Sequence, residues 1–366
     1  MSKSLHVFLA ALLGIAVLAQ PAAARDDDID SLPSAGRSFS DFAALTPKPV
    51  VWVGGGVQFL SLPDIKFTGR GGVSDFQHQK NTSSDWLDAG GAVSGGFDVP
   101  LGGRISLSAD GFYANVETDK RTSCSGGAAF CVVLDPTDSF VATSNSLVTE
   151  TDRDTDYWGA QTELKFRTGA PAEVKPDMFR SDYFIVGFGV RGIDQENKLY
   201  SNTGIDFTYK ETLDTTYVGG YVGIGGEYSF GFVPVVGKWL KGQGGLLDRW
   251  GLRTYLDATA GLYNADTSYT GGFESGAFNS IFDKSNDEVA FIGTLSLETR
   301  KQFGPRTSLS LFTHYEYISS VAWMDYAIGN HATRIDSEAL FASRTTLRLV
   351  IGIGSSELYA RAGYYD

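Results

Sequence analysis

The chain has 366 residues, a formal net charge of −13, 44 glycines and 13% aromatic residues. So acidic a balance argues against nucleic acid and against polybasic attachment to lipid as modes of action. The length fits either two or three soluble domains or one large β-barrel.

The N-terminus reads "MSKSLHVFLAALLGIAVLAQPAAARDDDID". Lys3 supplies a positive start, Leu5 to Ala19 is an apolar run too short to span a bilayer comfortably, and Ala22 to Ala24 form a small-residue cleavage site. This is the pattern of a secretory signal peptide over residues 1–24, leaving about 340 residues after cleavage. Residues 25–49 are expected to form a periplasmic N-terminal segment, too short for a secreted passenger. Residues 50–366 are expected to form a single β-domain. Charged or polar residues interrupt every later apolar run, so no helical span is predicted.

About ten segments alternate apolar and polar residues with a period of two, beginning near Val50, Trp86, Arg104, Tyr157, Asp182, Thr215, Gly251, Glu288, Thr307 and Ala339. In "GLRTYLDATAGLY", Leu252, Leu256, Ala258 and Leu262 share one face, and Arg253, Tyr255, Asp257 and Thr259 the other. Each segment is long enough for the roughly 9–11 residues of a tilted membrane-crossing strand. "VPLGGR" and "FGPR" are tight links, whereas Pro63–Asp85, Asp119–Asp156, Thr270–Asp287 and Ala322–Ser337 read as long polar loops. The links at 168–180 and 231–250 sit on the short-turn side but are too long for tight turns. Aromatic residues collect at segment ends: Trp52, Trp86, Trp158, Phe166, Phe230, Tyr263, Phe303, Tyr315 and Tyr317. That distribution is expected of girdles at the two membrane interfaces.

Two local motifs need a reading. Gly187, Gly189 and Gly192 spell G-x-G-x-x-G, the outline of a dinucleotide-binding turn. No amphipathic helix follows to receive a pyrophosphate, and alternation puts Gly187 and Gly189 on the polar side of a strand. These glycines are therefore expected to relieve crowding inside a narrow barrel. The only two cysteines, Cys124 and Cys131, flank a short polar stretch. In an oxidising compartment a bridge is the natural reading, with two free thiols as the alternative. No histidine lies beside them, so no metal site is expected there, and no cofactor is expected elsewhere.

With these features the mature chain resembles the outer-membrane β-barrel proteins of Gram-negative bacteria. The resemblance rests on signal, alternation, girdles and loop asymmetry, with no family motif. It implies an all-β, antiparallel transmembrane barrel of about ten strands, with twelve possible and long extracellular loops. It further implies insertion by the barrel-assembly machinery, surroundings of outer-membrane lipid and lipopolysaccharide, and residence in the outer membrane. Such barrels usually end on an aromatic residue. Here Tyr365 is followed by Asp366, so Glu357–Tyr365 is either a further strand or a tail.

Parity places Asp110, Glu163, Lys165, Arg253, Asp257, Glu298, Glu316, Arg344 and Arg348 in the lumen. Their interleaved signs read as an ion-pair network filling a narrow barrel, or alternatively as a charge-lined pore. His314 and Glu316 are the candidates for acid–base chemistry. Omptin-type proteases are also ten-stranded and carry Asp and His near the outer rim, and outer-membrane lipases use Ser and His. On that analogy His314 would mark a rim site, although neither a second Asp–His pair nor a well-placed serine is evident. The acidic runs Thr149–Asp156 and Asp283–Glu288 read as solvated loops. The functional expectation is a structural or small-solute channel barrel. The alternatives are an outer-membrane protease or lipid hydrolase, and a surface adhesion protein. Solute and oligomeric state are not legible.

Overall fold

The computed structural model describes residues 49–71, 76–81, 87–102, 104–125, 130–134, 140–168, 172–175, 178–204, 206–229, 252–275, 278–303, 306–326 and 333–353. Every regular element among them is a strand: β1 (Val50–Leu60), β2 (Thr68–Arg70), β3 (Gln77–Gln79), β4 (Asp88–Gly102), β5 (Ile105–Ser125), β6 (Cys131–Leu134), β7 (Phe140–Ser144), β8 (Ser146–Arg167), β9 (Ala172–Lys175), β10 (Met178–Thr203), β11 (Phe207–Ser229), β12 (Leu252–Ser275), β13 (Phe278–Gln302), β14 (Thr307–Asp325) and β15 (Arg334–Gly352).

Ten of these strands form a closed antiparallel ring in the order β1-β4-β5-β8-β10-β11-β12-β13-β14-β15. β1 seals it by pairing with β15 from Val50↔Gly352 to Leu60↔Ala342. The four short strands β3-β2-β6-β7 form a separate sheet, and β9 adds a short flank to β10. Tight links at 102–105 and 302–307 mark one end of the ring, where β1 begins and β15 finishes. By the convention of such barrels this end is periplasmic.

Lipid contact explains the middle of the wall. Val53, Phe184, Phe188, Val222, Ile224, Leu262 and Leu347 all point outward and are exposed. Their chain neighbours, Tyr183, Ile185, Tyr221 and Tyr263 among them, point inward and are buried. An apolar exterior, a closed ladder and a polar interior are what a sheet needs to cross hydrocarbon without an unsatisfied edge.

The ten wall strands run from 11 to 26 residues, and all but β1 exceed the roughly 9–11 residues needed to span a bilayer. Several stretches expected as loops are wall instead. β12 and β13 stay paired to Ser275↔Phe278, so Thr270–Asp287 is a strand hairpin. β5 and β8 stay paired to Ser125↔Ser146, so most of Asp119–Asp156 is strand, including the acidic run Thr149–Asp156. Expected starts at Tyr157, Thr215, Glu288 and Ala339 all fall late, against the observed Ser146, Phe207, Phe278 and Arg334. All four errors lie at the end remote from the tight links. There the wall projects past the lipid as a turret, and its outer face becomes polar. The β10–β11 connection is correspondingly tight and turns at Gly204, whose φ of +87° suits glycine.

The turret has its own core. Ile65 and Phe67, the disulfide between Cys124 and Cys131, and Val132–Leu134 pack on Leu147, Leu199, Phe207, Tyr209, Tyr269, Phe273 and Tyr326 from the wall. The segment expected as an open loop at Pro63–Asp85 thus supplies β2, β3 and part of this cap.

The aromatic expectation needs two corrections. Trp52 lines the lumen beneath Arg348, and Tyr263 is buried inside the barrel. Phe166, Phe303 and Tyr315 are exposed on the outside, and Tyr317 packs edge-on against Phe341. Trp86, Phe230, the link 231–250, the segments 1–24 and 25–48, and Glu357–Tyr365 lie outside the described residues.

Candidate functional site

The lower lumen is the candidate site. Inward positions at membrane level must fill a tube without apolar redundancy, and this chain fills it with paired charges. Asp110, Glu163, Lys165, Arg253, Asp257, Glu298, Arg344 and Arg348 line one cavity of about 280 Å³, and Glu316 lies buried at its inner end. All nine residues assigned to the lumen by parity therefore face the same interior.

The pairing is dense. Lys165 Nζ reaches Glu163 at 3.0 Å and Asp98 at 3.9 Å, while Arg253 meets Glu227 at 2.6 Å. Arg300 binds Glu298 at 2.8 Å, and Arg348 approaches the same carboxylate at 3.4 Å. Tyr183 Oη donates to Asp257 at 2.6 Å and Gln161 Nε2 to Asp110 at 2.9 Å.

Higher up, Arg191 on β10 reaches across the lumen to Glu316 on β14 at 3.1 Å, and both are almost wholly buried. Arg191 also donates to Gln161 Oε1 at 2.6 Å. Low dielectric strengthens such a pair, and equally penalises either charge left alone.

Alternation already puts Arg191 and Arg300 on the polar face, but it does not single them out as members of the network. Alternation does not bring out Asp98 or Glu227. Glycines around Glu227, in "VGIGGEYSF", blur the period, and Asp98 precedes a proline turn. Gly187 is inward, as its alternation requires: a Cβ there would run into the Tyr221 ring. Gly192 faces the other way, against Trp158. The G-x-G-x-x-G run is thus strand throughout.

His314 is not at the rim. It lies on β14 between Ser296 and Arg344 in the ladder, deep in the lumen, with Ser296 and His314 both lining the cavity. Its Nδ1 is 2.8 Å from Ser296 Oγ and its Nε2 is 3.2 Å from Glu316 Oε2. This is a serine–imidazole–carboxylate relay. However, β13 is paired on both sides at Ser296, so its backbone is committed to the ladder rather than to an oxyanion hole. Among the described residues no group of His, Cys, Asp and Glu is placed to hold a metal ion.

Above the cavity the lumen turns apolar. Leu60, Val116, Tyr157, Ile193, Tyr217, Ile292, Ile318 and Leu340 belong to one buried cluster drawn from every barrel strand except β4. Tyr217 Oη crosses to the carbonyl of Ser320 at 2.8 Å. Higher again, in the turret, Arg153 donates to the Pro63 carbonyl at 2.7 Å and to Asn197 at 3.1 Å. Glu211 accepts from Tyr326, Tyr209 and Asn197 at 2.6, 3.0 and 2.9 Å. Burial pushes the Glu211 carboxyl above its ordinary value, although those hydrogen bonds pull it the other way. On the turret's outer face, partial burial with Asp194 and Glu196 nearby raises Asp214.

No protein-family profile and no curated protein sequence matches the chain. Among solved structures it is similar to the outer-membrane protease OmpT from Escherichia coli, at 10% identity and TM-score 0.44, over 84% of this chain and 97% of that one. It is also similar to a Pseudomonas aeruginosa FadL homologue, at 8% identity and TM-score 0.26, over 85% and 92%. An anion-selective porin from Comamonas acidovorans matches at 8% identity and TM-score 0.18, over 83% and 98%. The membrane assignment rests on the molecule's own surface: a closed antiparallel ring with an apolar belt and a charged interior is an outer-membrane β-barrel.

Proposed function

We propose that the protein is a sealed outer-membrane barrel with a structural role, anchoring a rigid turret on the outer side, rather than an open porin. One observation carries this reading: buried, mostly apolar side chains around Tyr157, Tyr217 and Ile318 form one cluster drawn from nine of the ten wall strands, between the lower cavity and the cap. A ring of this strand number leaves little cross-section once large side chains point inward. On this reading its partners are outer-membrane lipid and lipopolysaccharide around the belt, and the barrel-assembly machinery during insertion. The test is recording in planar bilayers. The full chain is expected to give no unit conductance, and Tyr157→Ala combined with Tyr217→Ala is expected to introduce one. Reproducible steps from the unaltered chain would overturn the proposal.

A second reading, a hydrolase, is supported by the Ser296–His314–Glu316 relay. Its site would be in the lumen and not at the rim. A serine-directed fluorophosphonate should then label the folded protein, and Ser296→Ala should abolish labelling; an unlabelled folded barrel removes the idea.

A further inference from the structure

The inner end of the cavity carries hydrogen-bond donors that the barrel's own carboxylates leave unsatisfied. Arg344 and Arg348 project inward from β15 and are only 3% and 4% exposed. Their flat faces are covered: Arg344 lies 3.6 Å over the Phe112 ring, and Arg348 is sandwiched 3.7 Å from Trp52 and 3.3 Å from Phe312. Stacking of this kind occupies the faces of a guanidinium and leaves its N–H edge for a ligand. The Nε of each arginine has no hydrogen-bond partner. Gly54 pairs with both Arg348 and Ser94, and a Cβ there would come within 2.7 Å of Arg348 Cγ. The bare wall is what lets this side chain lie flat.

Four other lumen cations differ. Lys165, Arg191, Arg253 and Arg300 each hold a carboxylate at 3.1 Å or closer. Among the described residues the one ion-pair partner of Arg348 is Glu298 at 3.4 Å, which Arg300 already holds. Among the described residues Arg344 makes no ion pair and lies over the ring of Phe112. Arginine does not lose its proton, so a buried guanidinium calls for a counter-charge.

We propose that this end of the cavity binds a small oxyanion of the phosphate class, held edge-on by the guanidinium groups of Arg344 and Arg348, which both line it. The anion enters from the periplasmic end, where Gln302, Arg306, Thr307 and Gly352 line the same cavity. Asp110 and Glu298 face this space too, so the site suits one added negative charge better than several. The proposal is independent of whether the upper lumen conducts.

The test uses the full folded chain in detergent micelles, titrated calorimetrically with inorganic phosphate and, separately, with chloride. Phosphate should bind one to one. Arg344→Lys and Arg348→Lys keep the charge but lose the Nε donor and the fork, and each should weaken binding about tenfold. Because Arg348 lies on Trp52, phosphate should also change tryptophan emission, and that change should vanish in Trp52→Phe. Should either lysine variant fail to show the anomalous gel migration of a folded barrel, the emission change and the chloride comparison still decide the matter. Phosphate behaving like chloride, or folded lysine variants binding like the parent, would mean that water satisfies these donors and no anion site exists.

Discussion

β12 shows two opposite solutions to one problem. In its lower half Leu256, Ala258 and Leu262 face outward, while Arg253 and Asp257 face the lumen. In its upper half Asn264, Asp266 and Ser268 face outward, while Ala265, Tyr269 and Phe273 are buried. β11 inverts in the same way, from outward Val222 and Ile224 to inward Leu213, Tyr209 and Phe207. The ladder is continuous through the change, so hydrogen bonding does not set it. The surrounding medium does. Hydrocarbon outside demands apolar side chains and leaves the charges to pair within, whereas water outside permits an ordinary buried core.

The comparison implies that the two halves fail for different reasons. The largest effect is expected in the lower one. Arg191→Ala or Glu316→Ala strands a buried charge and should cost about 3–5 kcal/mol. Replacing both by methionine should recover most of that loss. Urea unfolding followed by tryptophan emission measures both, and additive single effects would show that the pair is not coupled. The next effect contrasts the halves directly. Leu262→Arg puts a charge in lipid and should cost about 2–4 kcal/mol. Ser268→Arg, with the same outward parity on the same strand, should stay within about 0.5 kcal/mol. Equal costs would place the membrane boundary elsewhere.

The inversion also explains what the sequence conceals. Within the belt, period-two alternation located all ten wall strands and put every assigned charge on the inner face, because lipid imposes a strict rule there. Above the belt the same strands read "NADTSYTGGFES" and "TETDRDTD". Polar residues there hold the outer positions, and the inner ones include Thr149, Thr151 and Thr155, which are buried but not apolar. Such a run imitates a loop. The cap was illegible for another reason: Phe67 meets Tyr209 and Tyr326 only through long-range packing that no local pattern encodes. The depth of His314 in the lumen is not legible either, since parity gives the face of a strand and not the depth along it.

Smaller perturbations should discriminate within the turret. Cys124→Ser opens a bridge of sequence separation 7 and should cost about 2–3 kcal/mol, by the loop-entropy relation for so short a ring. The loss should be confined to the cap. Limited proteolysis should therefore cut near β2 and β6, while the barrel keeps its anomalous gel migration. Simultaneous loss of both would mean that the halves fold as one unit.

The smallest effect is one of pH, and it too belongs to the turret alone. Burial raises the Glu211 carboxyl above its ordinary value of 4.5, so folding favours its protonated form. Below that ordinary value the residue is protonated whether the turret is folded or open, and the stability it contributes is fully present. As pH rises from there through the folded value, the open form releases its proton first, and the contribution is progressively lost. Cap opening, read by amide hydrogen exchange at β6 and at the upper half of β11, should therefore increase with pH across this window. Glu211→Gln keeps a carbonyl acceptor for Tyr326 or Tyr209 but cannot ionise, so its exchange, corrected for the intrinsic chemistry, should be flat over the same range. A Gln variant that retains the slope would assign it to another group. A parent chain without one would mean that the hydrogen bonds from Tyr326, Tyr209 and Asn197, together with the Arg153 charge, offset the burial completely.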